Sequence, residues 1–205
     1  MSQYAIPFEC RTYPLYGGNT VTIRFFANAD RFQHLIEDHV LSEDEPWWDR
    51  LIGVRFRKSL CQKMESGDVS LVEAGLEEAF AECVPVLDAG IAFSAGVPVY
   101  VAFAQRRRTP GSADWHDTRG YYFVSRDGLV IIAREDIVRT AFFPSGAGIK
   151  GGNFSKKDLF RLAWKWVKDI DLHRLYRDPK GGEEYAHIDL IRAAPENWQR
   201  CPKVH

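Results

Sequence analysis

Two apolar runs, Tyr121-Tyr122-Phe123-Val124-Ser125 and Leu129-Val130-Ile131-Ile132-Ala133, flank Arg126-Asp127-Gly128. Aromatic and β-branched residues suit a pleated, half-buried surface, and an Asp-Gly step supplies the backbone of a tight reversal. The segment therefore predicts a β-hairpin. A strand over 97–104 precedes it, with Pro98 confined to its first positions, and a last strand over 138–143 follows. Residues 106–117 between them read as a polar loop rich in Pro, Gly and Ser.

Upstream the apolar period changes to that of a helix. Asn28 or Asp30 can cap a helix reaching about Val40, with Phe32, Leu35, Ile36 and Val40 on its apolar side. A second helix is expected over 47–64, carrying Leu51, Val54, Leu60 and Cys61 inward and Arg50, Arg55, Arg57, Lys58 and Lys63 largely outward. A third is expected over 70–87, where Pro85 should end or kink it near Cys83, leaving Ile91-Ala92-Phe93 extended. Residues 1–27 look extended, with an alternating strand over 20–26. After a Gly-rich joint at 146–152, Ser155-Lys156-Lys157-Asp158 resembles a capping box opening a helix to about Ile170, and the remainder reads as a polar covering tail.

Helices first and a meander second argue for an α+β fold rather than a doubly wound sheet. The expected arrangement is N-terminal helices packed on an antiparallel β-meander, with a C-terminal helix covering the core. Residues 1–145 form the α+β core domain, and 146–205 a C-terminal helical appendage packed on the same core. With 205 residues, 45% of them hydrophobic, the chain can bury a real core. A formal net charge of −1 excludes a generic electrostatic grip on nucleic acid, so any such binding must come from a local patch.

The four cysteines, Cys10, Cys61, Cys83 and Cys201, show neither a CxxC pair nor zinc spacing, and Cys61 and Cys83 read as reduced buried thiols. Met1-Ser2-Gln3-Tyr4 lacks the charged and apolar regions of a secretory leader, and no apolar run approaches the ~18–20 residues of a membrane span. A cytoplasmic protein of bacterial or phage type, without membrane partners, is expected. No Walker or dinucleotide loop, nucleophile elbow or Cys-His protease signature occurs, so no cofactor is implied.

Six histidines supply the candidate acids and bases. His34 and His39 share one predicted helix but stand five residues apart, roughly 140° around an axis of ~3.6 residues per turn, so they do not form a metal pair. No metal site is expected. His39 is the stronger catalytic candidate, because it sits near a helix end that favours the imidazolium. Arg139 and Thr140 are neighbours on the last strand, where alternation directs only one of them to a given face. Each is either a strand residue chosen for propensity or a phosphate contact beside a histidine base. Arg106, Arg107 and Arg108, followed by Trp115 and His116, make a possible substrate-binding loop for phosphate and base, or else a solubilising or protein-partner surface.

The segments Phe32-Gln33-His34-Leu35-Ile36-Glu37-Asp38-His39, Gly120-Tyr121-Tyr122-Phe123-Val124 and Arg139-Thr140-Ala141-Phe142 give residues 30–145 a loose resemblance to the barnase/EndoU/colicin/RelE-like nuclease superfamily. The resemblance implies a metal-independent endoribonuclease, of the kind found as toxins or phage-conflict components, that cleaves RNA through its own 2′-hydroxyl. It implies His39 as base, Arg107 or Arg139 as phosphate clamp and Thr140 as positioning hydroxyl. RNA (tRNA is one candidate) and an inhibitor or immunity protein are the implied partners. The chain departs from that pattern in its near-neutral charge and its long C-terminal third. The alternative is a non-catalytic interaction module, such as an immunity protein, antitoxin or phage accessory factor, binding through Glu43-Asp44-Glu45 or its Trp-rich surfaces.

Overall fold

The hairpin anticipated at 121–133 lies at the heart of a seven-stranded sheet. The computed structural model describes residues 4, 6–15, 18, 20–26, 29–42, 48–95, 100–107, 116–134, 136–144, 156–167 and 184–192, with the backbone alone at 100–107, 116–119, 156–158 and 184–192. The strands are β1 (Glu9–Pro14), β2 (Thr20–Phe25), β3 (Tyr100–Arg107), β4 (His116–Val124), β5 (Val130–Arg134), β6 (Ile137–Phe142) and β7 (Glu184–Arg192), in the order β1-β2-β6-β5-β4-β3-β7. At the β4–β5 reversal the Gly128 N–H donates to the Ser125 carbonyl (3.0 Å), and Ser125 Oγ accepts from the backbone N–H groups of Asp127 and Leu129. Gly128 takes φ 86°, the region that makes glycine the natural choice there.

All neighbours pair antiparallel except β2 and β6, which run parallel and share the single register pair Arg24↔Ile137 among the described residues. The fold is mixed α+β. Two expectations about the second half are corrected. Arg106 and Arg107 belong to β3, and His116 and Asp117 to β4, because the two strands stay paired to Arg106↔His116. The supposed polar tail contributes β7, which pairs with the outer edge of β3.

The helices are α1 (Ala29–Leu35), a π-helix (Ile36–Val40) that continues it, α2 (Asp49–Ile52), α3 (Val54–Glu65), α4 (Val69–Ala95) and α5 (Lys156–Trp166). The helix expected over 47–64 is split, since Gly53 at φ 87° leaves the helical region and closes α2 before α3 begins. More surprisingly for a proline-bearing segment, α4 runs unbroken through Pro85 and takes in Ile91, Ala92 and Phe93. Pro85 removes one N–H and frees one carbonyl a turn earlier, at Ala81. Both residues are exposed, so water can satisfy that carbonyl and the helix persists.

One face of the sheet, through Ile23, Phe25, Phe123, Ile131, Val138 and Ala141, packs with Phe32, Leu35, Leu60, Leu76 and Leu87 into the main core. Phe26, Phe32 and Phe80 meet ring to ring there, at 4.8 to 6.5 Å between centroids. Ser94, fully buried on α4, accepts the Val124 N–H at 3.1 Å. On the opposite face Tyr122, Val124, Val130 and Ile132 pack with Ala163, Trp166 and Val167. The spacing of Leu159, Ala163 and Trp166 puts one stripe of α5 against the strands, as an amphipathic helix requires. Among the described residues, no helix is long and apolar enough to cross a membrane.

Candidate functional site

His39 sits in the π-helix, and that irregularity alters its surroundings. The Leu41 N–H donates to the Ile36 carbonyl at 2.8 Å, five residues back instead of the α-helical four. The widened turn brings residues five apart round to one side. The rings of His34 and His39, expected on divergent faces, lie 6.0 Å apart at 77°. His34 Nδ1 is 2.8 Å from Asp38 Oδ2. Ile36 and Val40 are fully buried in the main core, which anchors the turn from beneath. His39 in turn stacks on Phe142, with centroids 5.5 Å apart and planes at 29°, and Phe142 meets Trp166 edge-on at 5.0 Å.

The strand beneath carries a second irregularity. Ile132 pairs with Thr140 and Ala133 with Val138, so Arg139 is an extra residue in β6. Strict alternation fails across it, so the alternation expected to part Arg139 from Thr140 does not apply there. Beyond the bulge alternation resumes. Thr140 opposes Ile132 and Phe142 opposes Val130, both on the α5 side, while Ala141 opposes Ile131 in the main core. Thr140 and Phe142 therefore share one face, and the ring that holds His39 lies two residues beyond Thr140. Among the described residues, Thr140 Oγ1 is buried with no hydrogen-bond partner. Arg139 is half-buried at the same place.

The other candidates lie elsewhere. Thr140 is aligned through Ile132 with Tyr122 and through it with Tyr100, whereas Arg106 and His116 are paired at the far end of β3 and β4. Six residues of β4 separate the two levels, which at ~3.3 Å per residue is about 20 Å along the strand. Arg106, Arg107 and His116 are thus brought together with one another, and with β7 through Arg106↔Tyr185 and Arg107↔Glu184, but not with Thr140. Arg108, Trp115 and the acidic Glu43, Asp44 and Glu45 lie outside the described residues.

Three participants escape sequence reading. Phe142 and Trp166 look like ordinary core aromatics, since nothing in their spacing announces an imidazole as neighbour. Arg57, expected to point outward, turns onto the π-helix and binds its terminal carbonyls. The cysteines add no chemistry at this place. Burial pushes the Cys83 thiol up to about 12, the mark of a packing group. Cys61 is only half-buried, its thiol 3.2 Å from Glu65 Oε1. Among the described residues no group of three or more His, Cys, Asp or Glu side chains could hold a metal ion. No family model, curated protein or solved structure matches the chain.

Proposed function

We propose that the chain is a metal-independent endoribonuclease whose working groups are His39, Thr140 and Arg139. The reading rests above all on His39 stacked against Phe142, two residues beyond a buried Thr140 hydroxyl with no partner among the described residues. A ring held face-on has a fixed orientation, and an unsatisfied buried hydroxyl calls for an explanation. π-Helices and β-bulges are both over-represented at functional sites, and here one of each meets the other. His39 would take the proton of a ribose 2′-hydroxyl. The 2′-oxygen would attack the adjacent phosphorus, leaving a 2′,3′-cyclic phosphate while the 5′-oxygen departs with a proton. The Thr140 hydroxyl and the Arg139 guanidinium would donate to the phosphoryl oxygens as charge gathers on them.

On this reading Arg106, Arg107 and His116, with Arg108 and Trp115, bind the RNA at a distance from the scissile bond. The N-terminal helices pack on one face of the sheet and α5 on the other, with β7 at the outer edge of β3. The cytoplasm is the working compartment, RNA (tRNA among the candidates) the substrate, and an inhibitor or immunity protein the regulating partner. Incubating purified protein with tRNA and total RNA in EDTA is the test. Wild type should give fragments with cyclic phosphate ends, and His39→Ala should lose at least ~10²-fold in rate, within the range for a general base, with its circular dichroism unchanged. Undiminished cleavage by His39→Ala removes that residue from the mechanism. The separation of the Arg106–His116 level from Thr140 favours a second reading, a non-catalytic interaction module, under which wild type leaves every RNA intact.

A further inference from the structure

The C-terminal carbonyls of any helix lack partners within it, and a π-helix is seldom sustained unaided. Here the partner comes from α3. Arg57 Nε donates to the Val40 carbonyl at 2.7 Å, and Nη2 donates to the carbonyls of Leu41 (3.0 Å) and Ser42 (2.7 Å). Nη1 stands 3.5 Å from Asp49 Oδ1. The side chain is only 18% exposed. Three consecutive carbonyls are thus gathered on one planar cation, immediately after His39. A rigid fork of donors suits that task, and a single ammonium on a flexible stem does not.

The other supports of the turn act on different parts of it. Ile36 and Val40 hold its underside in the main core, and Phe142 holds the imidazole from the strand. Arg57 acts on the terminal backbone itself through the Val40, Leu41 and Ser42 carbonyls, and rotation at Val40 swings the residue before it. We propose that Arg57 is a positioning residue for His39, clamping the end of the π-helix so that the imidazole stays over Phe142. His39 counts as the working base only on the reading given above, but its placement by Arg57 can be tested without any RNA.

Stacking on Phe142 should shift the His39 ring protons upfield in the NMR spectrum, and Phe142→Leu gives the unstacked reference. Arg57→Met should move those signals most of the way to that reference. It should also cut kcat for RNA ten- to a hundredfold with KM within twofold, since a displacement of about 1 Å can cost ~10²-fold. Arg57→Lys, which keeps the charge and most of the stem, should fold and show an intermediate shift with a several-fold loss of kcat. It decides the matter should Arg57→Met not fold. Glu78→Gln, which breaks the exposed pair with Lys63 between α3 and α4, should leave the His39 signals in place. Wild-type signals in Arg57→Lys, or in a folded Arg57→Met, overturn the assignment. Arg57 variants that move the His39 signals as expected, beside a wild type that cuts no RNA, overturn the nuclease reading and leave the clamp standing.

Discussion

The two faces of the sheet are built to different standards. On one, α1, the π-helix, α3 and α4 bring fully buried Phe32, Leu35, Leu60, Leu76 and Leu87 against Phe123 and Ile131. On the other, among the described residues, a stripe of α5 meets Tyr122, Val124, Val130, Ile132 and Phe142, and its Trp166 keeps 8% of its surface exposed. His39, Thr140 and Phe142 gather at the margin of the lighter face, while the heavier one anchors the turn that carries His39. Dense packing fixes a backbone. The candidate groups borrow their rigidity from the opposite side of the sheet.

That contrast can be broken by truncating one large side chain on each face. Phe123→Ala should cost about 3–5 kcal/mol in urea unfolding, as expected for a fully buried aromatic. Trp166→Ala should cost less, about 2–3 kcal/mol, because 8% of its surface is already in water. Equal costs would mean that the faces do not differ in packing. Tyr13, on the heavier side, donates to Asp88 from β1 to α4, and Asp88 also pairs with Arg11. Tyr13→Phe should cost about 1–2 kcal/mol. Burial and the Asp88 carboxylate hold the Tyr13 phenol well above its ordinary value near 10. The folded state therefore binds that proton more tightly than the unfolded chain does. Its stabilising effect is complete below pH ~10 and lost as pH rises further, so wild type should fall in stability there more steeply than Tyr13→Phe. A parallel decline of the two proteins would sever Tyr13 from the effect.

The smallest expected change is the sharpest for function. Thr140→Val removes a buried hydroxyl that has no partner among the described residues, so it should raise stability by about 1 kcal/mol. On the nuclease reading the same variant should lose RNA cleavage. A gain in stability with undiminished cleavage would reduce Thr140 to a packing residue.

Legibility in the sequence follows how local each feature is. The β4–β5 hairpin was open to reading because its turn residues and both flanking runs carry the signal together. The apolar spacing of α4 was equally plain, yet its length was not, since the effect of Pro85 depends on whether the Ala81 carbonyl meets water. β7 had a weak signature in Ala186, Ile188 and Leu190, alternating with His187 and Asp189. The site was legible only as a set of residue types. Nothing in the sequence marks the π-helix that turns His39 toward His34 and Phe142, or the extra residue at Arg139. Both depend on how a helix and a strand must adjust to lie side by side, and that fit is tertiary.

One seam in the sheet has a thermal consequence. The β1–β2 ribbon joins β6 through the Arg24↔Ile137 pair, with the Arg24 N–H on the Asp136 carbonyl at 2.8 Å, while Val21, Ile23 and Phe25 sink into the main core. The ribbon is attached by grease more than by stitching. Apolar attachment weakens as water cools, whereas a backbone ladder does not depend on it in the same way. Chilling should therefore loosen residues 9–25 before the β3–β6 meander, a molecule that frays along this line in the cold and not at its centre.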